Sequence, residues 1–319
     1  MYTFIDLFSG IGGIRTAFEL AGCNCVFSSE WDKFSQKTYE ANFGKCPHGD
    51  ITKISTNNIP NHNILVGGFP CQPFSMAGIS KKNSLGRESG FKDKTQGTLF
   101  FEIVRIVEQK KPAAIFLENV KNITHHEGGK TFKIILSALD ELGYDVQYDV
   151  INAAGYVPQQ RKRTYIVAFR KDLDLPDWFE FPYGYDNGKR IKDILENDVP
   201  SKYTLSDKMY QCLINHAQRH KENGNGFGFG LVSLNGYSRT LLARYYKDGS
   251  EILIPQENKN PRRLTPRECA RLMGFNDSFK IPVSDTQAYK QFGNSVVVPL
   301  ITDIAKNIVK SLHSVNFDN

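Results

Sequence analysis

Short apolar runs alternate with longer amphipathic stretches over the first 180 residues. Runs typical of buried strands include TFIDLF, NILVGGF, AAIFLENV and RTYIVAFR, and stretches typical of helices include IRTAFELAG, GTLFFEIVRIVEQ and TFKIILSALDELG. Parallel strands need long crossover connections, which are usually helices that pack on the sheet. The alternation therefore predicts an α/β fold with a mostly parallel, Rossmann-like sheet and helices on both faces.

The pattern changes near residue 185. A polar, glycine-rich region follows, with NGNGFGFG and the strand-like runs SRTLLARYY and EILI. We predict a large domain over residues 1–184, a smaller irregular domain over 185–283 and a C-terminal segment over 284–319 that returns to the large domain. In this last segment a glycine turn is expected to separate two helices.

The segment TPRECARLMGF contains residues typical of a helix N-terminus. Thr265 has a good N-cap side chain, Pro266 suits the first helical position, and Glu268 stands three residues after the cap. This arrangement predicts a capping box, in which each side chain accepts a hydrogen bond from the other residue's backbone.

Charge and cysteine content narrow the class of protein. The 319 residues carry 40 Lys and Arg against 34 Asp and Glu, a net charge of +6 that suits a phosphate-rich partner without identifying one. The six cysteines show no C-x-x-C spacing, so neither a disulfide framework nor a metal site is expected. No apolar run approaches the roughly 18 residues of a membrane span, and we expect a soluble, cytoplasmic protein.

A glycine-rich turn follows the first predicted strand in FIDLFSGIGG, where backbone can approach a nucleotide-like ligand closely. Glu30 ends the second strand about twenty residues on, where a carboxylate accepts hydrogen bonds from ribose hydroxyls. Trp31 offers an aromatic wall for an adenine, and Asp50 could address the adenine amino group. The same pattern would suit NAD, so the periodicity alone does not identify the cofactor.

A cysteine stands between two prolines in GGFPCQPFS, directly after an apolar strand. A free cysteine is normally a small buried hydrophobe. The constrained segment around Cys71 instead predicts a thiol that is presented to a ligand, as a nucleophile requires.

Six motifs occur together, in the order DLFSGIGG, GGFPCQPFS, FLENV, PQQRKR, RRLTPRECARLMGF and QFGNSVVVPL. In these motifs the chain resembles bacterial DNA (cytosine-5-)-methyltransferases of the restriction-modification type over nearly its whole length. The resemblance implies S-adenosylmethionine as cofactor and S-adenosylhomocysteine as product. It implies catalytic roles for Cys71, Glu118, Arg161 and Arg163. The cofactor-binding residues it implies, together with the turn and acidic positions above, are Phe8, Gly10, Gly12, Gly13, Glu30, Trp31, Asp50, Ile51, Pro70 and Asn294.

The same resemblance implies double-stranded DNA as partner, a flipped-out cytosine as target and the small domain as the reader of a short DNA sequence. The DNA-binding residues expected on this basis are Ser75, Arg239, Thr240 and Arg244. The GFGFGL and SRTLLARYYKDGSEILI stretches resemble members that modify the inner cytosine of sites beginning CC, such as CCGG or CCNGG. Action as a monomer is expected, a cognate restriction endonuclease is left open, and the C-terminal helix should pack beside the N-terminal one.

Three alternatives share part of this pattern. A tRNA cytosine-C5 methyltransferase would use the same chemistry, but that group usually reads P-P-C-Q-P-F-T where this chain has GFPCQPFS. A catalytically silent DNA-binding scaffold is disfavoured because Cys71, Glu118 and Arg163 are all intact. An NAD oxidoreductase would leave the P-C-Q and E-N-V motifs without a purpose.

Overall fold

The computed structural model describes residues 1–70, 99–173, 175, 179–184, 186–225 and 228–314. At its centre is a six-stranded sheet in the order β2-β1-β3-β4-β6-β5. The strands are β1 Thr3–Leu7, β2 Asn24–Ser29, β3 Ile64–Gly68, β4 Ala114–Val120, β5 Tyr144–Asn152 and β6 Lys162–Arg170. β1 pairs in parallel with β2 and β3, and β3 with β4, whereas β6 is antiparallel to both β4 and β5. The predicted mostly parallel α/β sheet is confirmed.

The described residues form eight α-helices, and those next to the central sheet lie on both of its faces. The helices are α1 Gly13–Leu20, α2 Lys33–Phe43, α3 Leu99–Lys110, α4 Lys130–Glu141, α5 Asp207–Glu222, α6 Pro266–Leu272, α7 Asp285–Asn294 and α8 Val298–His313. Because successive strand residues point to opposite faces, Phe4 packs in one core with Phe18 of α1 and Ile304 of α8, while Ile5 packs in a second core with Ile103 of α3. No helix in the described part of the chain is long and apolar enough to span a membrane.

Two sequence predictions about helices are confirmed, one on packing and one on a helix N-terminus. α8 packs against α1, as the resemblance implied. At the start of α6, Thr265 Oγ1 accepts a hydrogen bond from Glu268 N, and Thr265 N donates to Glu268 Oε2 at 2.8 Å. The predicted capping box is therefore confirmed, with Pro266 at the first helical position.

The regular structure of the polar region differs from its prediction, because it includes α5, which was not predicted, and lacks one of the two predicted strands. β7 Leu253–Gln256 and β8 Lys259–Arg263 form a two-stranded antiparallel sheet. SRTLLARYY is not a strand, because its backbone pairs with a neighbouring segment only at an isolated bridge and then closes a 3-10 turn over Ala243–Tyr246. The predicted glycine turn is also wrong, since Gly293 lies inside α7.

Candidate active site

The carboxyl ends of β1 to β4 meet at one edge of the sheet and border a cavity of about 940 Å³. From β1 the chain passes through α1 to β2 on one side, while β3 lies on the other side of β1. In open α/β sheets such a reversal of strand order leaves a crevice in which ligands bind. The topology thus places the predicted cofactor turn and the predicted catalytic residues around one space.

The glycine-rich turn supplies one wall of this cavity. Phe8, Gly10 and Gly13 border it, whereas Gly12 does not. Gly12 has φ +84°, and a Cβ built there would lie 2.2 Å from Phe43 Cε2. The structure therefore separates Gly12 from the other predicted cofactor glycines and gives it a role in packing α1 against α2.

Gly12→Ala should mainly lower the free energy of unfolding, whereas Gly10→Ala should mainly lower the affinity for cofactor. A methyl at Gly12 meets Phe43, so we expect unfolding free energy to fall by about 1–3 kcal/mol. A methyl at Gly10 meets nothing within 4 Å in the protein. It should cost about 1–2 kcal/mol of backbone strain, which Gly12→Ala shares because both glycines have positive φ, and its larger effect should be on cofactor affinity. Urea unfolding and calorimetric binding would check this, and equal effects of both variants on affinity would contradict it.

Glu30 lies directly after β2 at the cavity wall. Its Oε2 accepts a hydrogen bond from Gly10 N at 2.8 Å, and its Oε1 accepts one from Asp32 N at 2.8 Å. Burial raises the pKa of the Glu30 carboxyl, and these backbone donors pull it back by less. Each oxygen keeps a further lone pair, so the carboxylate can still accept hydrogen bonds from a ligand's hydroxyls.

The other predicted cofactor residues also border the cavity: Trp31, Asp50, Ile51, Pro70 and Asn294. The Trp31 side chain is 78% exposed. The Asp50 side chain accepts hydrogen bonds from the backbone and hydroxyl of Thr52, which lower the pKa of its carboxyl. Three buried polar atoms have no partner among the described residues: Ser9 Oγ, Ser29 Oγ and Gln291 Nε2. Gln291 lies in the motif that the resemblance places at the cofactor pocket, whereas Ser9 and Ser29 were not predicted. All three border the cavity, and only their position within the motifs could have indicated them.

Glu118 and Arg163 form the core of the predicted catalytic set. In the antiparallel register of β4 and β6, Glu118 faces Tyr165 and Arg163 faces Val120, so Glu118 and Arg163 are diagonal neighbours on one face. Arg163 Nε lies 3.2 Å from Glu118 Oε1, and both side chains are largely buried. Burial raises the pKa of the Glu118 carboxyl more than the Arg163 and Arg161 cations lower it. A carboxyl whose pKa is raised keeps its proton to higher pH than an exposed glutamate, as a proton donor requires.

The segment before the predicted nucleophile is anchored to the same strand. Asn119 is buried, and its Nδ2 donates to Phe69 O at 2.9 Å. Phe69 and Pro70 both border the cavity and precede Cys71 in the chain. Cys71 itself and the predicted DNA-binding Ser75 lie outside the described residues.

Arg161 borders the cavity but is 2% exposed, and it is engaged elsewhere. Its guanidinium donates to three backbone carbonyls, those of Leu241, Gly293 and Ser295, at 2.9, 3.1 and 2.7 Å. Its Nε has no partner among the described residues. Burial lowers the pKa of Arg161 to about 10, so the side chain stays charged at neutral pH.

Among the described residues, the predicted DNA-reading side chains of Arg239, Thr240 and Arg244 do not border the cavity. Arg239 and Arg244 are exposed, and Arg239 Nη1 donates to Gly228 O at 2.8 Å. Thr240 Oγ1 donates to Gln160 O at 2.6 Å. These residues lie on a segment next to the PQQRKR motif, outside the space that holds Glu118.

Solved structures of known proteins share this fold. The chain superposes on the Dnmt2 methyltransferase of S. pombe with a TM-score of 0.77 and 21% identity, covering 99% of this chain and all of that one. A putative DNA modification methyltransferase encoded within an E. coli prophage gives a TM-score of 0.71 at 22% identity, covering 98% of this chain and all of the other. At this identity the likeness shows the fold alone.

Sequence relatives are much closer. The type II methyltransferase M.SsoII of Shigella sonnei is 54% identical over 98% of this chain and 81% of its own length. M1.ScrFI of Lactococcus lactis subsp. cremoris is 53% identical over 98% of this chain and 79% of its own. M.HhaI of Haemophilus parahaemolyticus is 41% identical over 97% and 95%.

The profile of one family, described as C-5 cytosine-specific DNA methylase, matches residues 2–310. The resemblance predicted from the six motifs, and with it the prediction of an enzyme of the DNA (cytosine-5-)-methyltransferase class, is confirmed. The chain belongs to the C-5 cytosine-specific DNA methylase family.

Proposed function

We propose that this protein transfers a methyl group from S-adenosylmethionine to C5 of a flipped-out cytosine in a short specific sequence of double-stranded DNA. The observation that carries the proposal is the shared cavity. Glu30, which is predicted to bind the cofactor, and the predicted catalytic residues Glu118 and Arg163 border the same space. The segment that leads to Cys71 borders it as well.

The residues around the cavity fit the cofactor. Three buried polar atoms without partners in the described chain border it, and unsatisfied buried groups are costly unless a ligand or water pairs with them. Glu30 would hold the ribose, Trp31 and Ile51 the adenine faces, and Asp50 the adenine amino group. Phe8, Gly10, Gly13, Pro70 and Asn294 would line the rest of the site. The cofactor supplies an electrophilic methyl on a sulfonium centre.

The target base has to leave the DNA stack, because neither ring face is reachable inside a duplex. In the proposed mechanism the Cys71 thiolate forms a bond to C6 of the cytosine, and the displaced electron pair makes C5 nucleophilic. Glu118 donates its proton to N3 and relieves the negative charge that addition pushes into the ring. Arg163 holds the pyrimidine carbonyl. C5 takes the methyl group, with S-adenosylhomocysteine as the leaving group. Loss of the C5 proton, breaking of the C6–sulfur bond and return of the N3 proton to Glu118 then restore the neutral aromatic base, the thiolate and the carboxylic acid.

We further propose that residues 185–283 read the DNA sequence, with residues 1–184 and 284–319 forming the catalytic and cofactor-binding part. Arg239 and Arg244 would contact guanine edges or phosphates, Thr240 would lie near the backbone of the target strand, and Ser75 would also contact DNA. The proposed target is the inner cytosine of a site beginning CC. The enzyme would act in the cytoplasm as a monomer, with or without a cognate endonuclease.

The runner-up is methylation of tRNA by the same chemistry. Relatives at 41–54% identity are named type II methyltransferases, which favours DNA. Purified protein should be incubated with labelled S-adenosylmethionine and either mixed-sequence duplex DNA or tRNA, and the modified cytosines mapped. Label at one short sequence of duplex DNA is expected. Label on tRNA alone would overturn the proposed substrate.

Glu30→Ala should weaken binding of S-adenosylmethionine by about 10- to 100-fold, because two hydroxyl hydrogen bonds to a carboxylate are lost. Titration calorimetry with the cofactor would measure this. The matched control is Glu19→Ala, which removes an exposed carboxylate of α1 that does not border the cavity. Equal affinity in both variants would refute the assignment of Glu30.

A further inference from the structure

Both backbone groups of Leu241 are held by side chains from another part of the chain. Leu241 N donates to Gln159 Oε1 at 2.8 Å, and Leu241 O accepts from Arg161 Nη1 at 2.9 Å. Gln159 and Arg161 flank a single residue just before β6, so one short segment reaches both sides of the same residue. All three residues are buried.

The same two side chains extend to three further carbonyls. Gln159 Nε2 donates to Leu272 O at 3.2 Å, at the end of α6. Arg161 Nη2 donates to Gly293 O and Ser295 O, at the end of α7. The segment before β6 is thereby bonded to α6, α7 and residue 241 together.

Main-chain bonds lay residues 238–241 alongside residues 158–161. Ser238 N donates to Pro158 O at 2.9 Å, and Gln160 N donates to Ser238 O at 2.9 Å. Thr240 Oγ1 adds a bond to Gln160 O. Of the two exposed arginines predicted to read DNA, Arg239 lies within this anchored stretch and Arg244 lies three residues after it.

The backbone of residues 242 and 243 packs closely against α7. A Cβ built on Gly293 would lie 2.4 Å from the carbonyl carbon of Leu242 and 2.4 Å from Ala243 N. Backbone therefore lies directly against backbone, at the same point where Arg161 bonds both segments. The predicted reading segment is fixed from two sides.

We propose that Gln159 and Arg161 form a clamp on the peptide groups of Leu241, and that the clamp sets where the reading segment lies relative to Glu118 and Arg163. The proposal rests on the proposed function for its consequence in DNA recognition. In this clamp Arg161 is a positioning residue, since its bonded nitrogens all face backbone carbonyls. Loss of the clamp should therefore affect the choice between DNA sequences more strongly than it affects the rate of methyl transfer.

The first test measures the clamp without using activity. Gln159→Leu removes the acceptor for Leu241 N, and hydrogen exchange at residues 238–243 should then speed up by about 10- to 100-fold. Strands β1 to β4 should keep their protection. The matched control is Tyr144→Phe, which deletes a buried hydrogen bond to Pro112 O in the sheet, away from the clamp. Unchanged exchange at 238–243 in Gln159→Leu would overturn the clamp, whatever the protein methylates.

The second test separates positioning from contact with the base. Gln159→Leu and Arg161→Lys should each raise KM for the cognate duplex by about 10- to 100-fold and lower discrimination against near-cognate duplexes, with a smaller change in kcat. Because both act through Leu241, the double variant should be little worse than the poorer single variant. A kcat loss in Arg161→Lys with unchanged discrimination, or additive effects, would instead place Arg161 on the substrate. Wild-type protein that modifies no duplex would refute the proposed function, while the exchange result still decides the clamp.

Discussion

Replacing the Cys71 thiol with a hydroxyl is expected to abolish methyl transfer to DNA, lowering the rate on the order of 10⁴-fold or more. A serine hydroxyl is almost never ionised at neutral pH, so Cys71→Ser cannot add to C6, and an unactivated cytosine C5 is too poor a nucleophile to take the methyl. Single-turnover assays with labelled cofactor and the cognate duplex would measure the loss.

Cofactor binding in Cys71→Ser should stay close to that of the wild-type protein, because the change removes a reacting atom and not a wall of the site. Cys212→Ser is the matched control, since Cys212 is an exposed free thiol on α5. It should retain full activity. Full activity in Cys71→Ser, or inactivity in both variants, would contradict the assignment of the nucleophile.

Glu118→Gln is expected to lower the rate of methyl transfer by about 10²- to 10⁴-fold. The amide preserves the shape and can still hydrogen-bond to the base, but it cannot deliver a proton to N3. It also leaves Arg163 without its 3.2 Å ionic partner. Glu118→Asp, which keeps the acid but shortens its reach, should recover part of the activity.

The pH profile gives a second signature for Glu118. Burial raises the pKa of this carboxyl, so the protonated form needed for donation persists closer to neutral pH and is lost as pH rises through that raised value. Activity should therefore fall on the alkaline side, and Glu118→Gln should lack that decline. A decline of the same position and steepness in both proteins would assign it to another group.

Much of the large domain could be predicted because its signals are local. The alternation in TFIDLF and AAIFLENV indicated buried strands, and Thr265 with Glu268 indicated a capping box that the structure contains. Strand direction was harder to predict. β6 runs antiparallel between β4 and β5, and only long-range packing decides that order.

Sequence spacing says least about residues whose surroundings are set by distant neighbours. Gly293 was predicted in a turn, yet it lies inside α7, where the backbone of residues 242–243 leaves no space for a side chain. Gly12 was predicted to contact cofactor, and the structure adds a close approach to Phe43 that the sequence did not indicate. The resemblance grouped Arg161 with Arg163, and the structure shows that one faces backbone carbonyls and the other faces Glu118. Sequence spacing does not carry such distinctions.

The clamp bonds only the backbone N–H and C=O of residue 241, and these groups are the same in every amino acid except proline, which lacks the N–H. Replacing side chains beside it, such as those of Arg239 and Arg244, therefore leaves the two bonds to Leu241 in place. Substitutions at those exposed positions could therefore change the preferred DNA sequence during evolution. The clamp residues Gln159 and Arg161 would need no compensating substitution. For engineering, randomising positions 239 and 244 while keeping Gln159, Arg161 and Gly293 is the library design that follows.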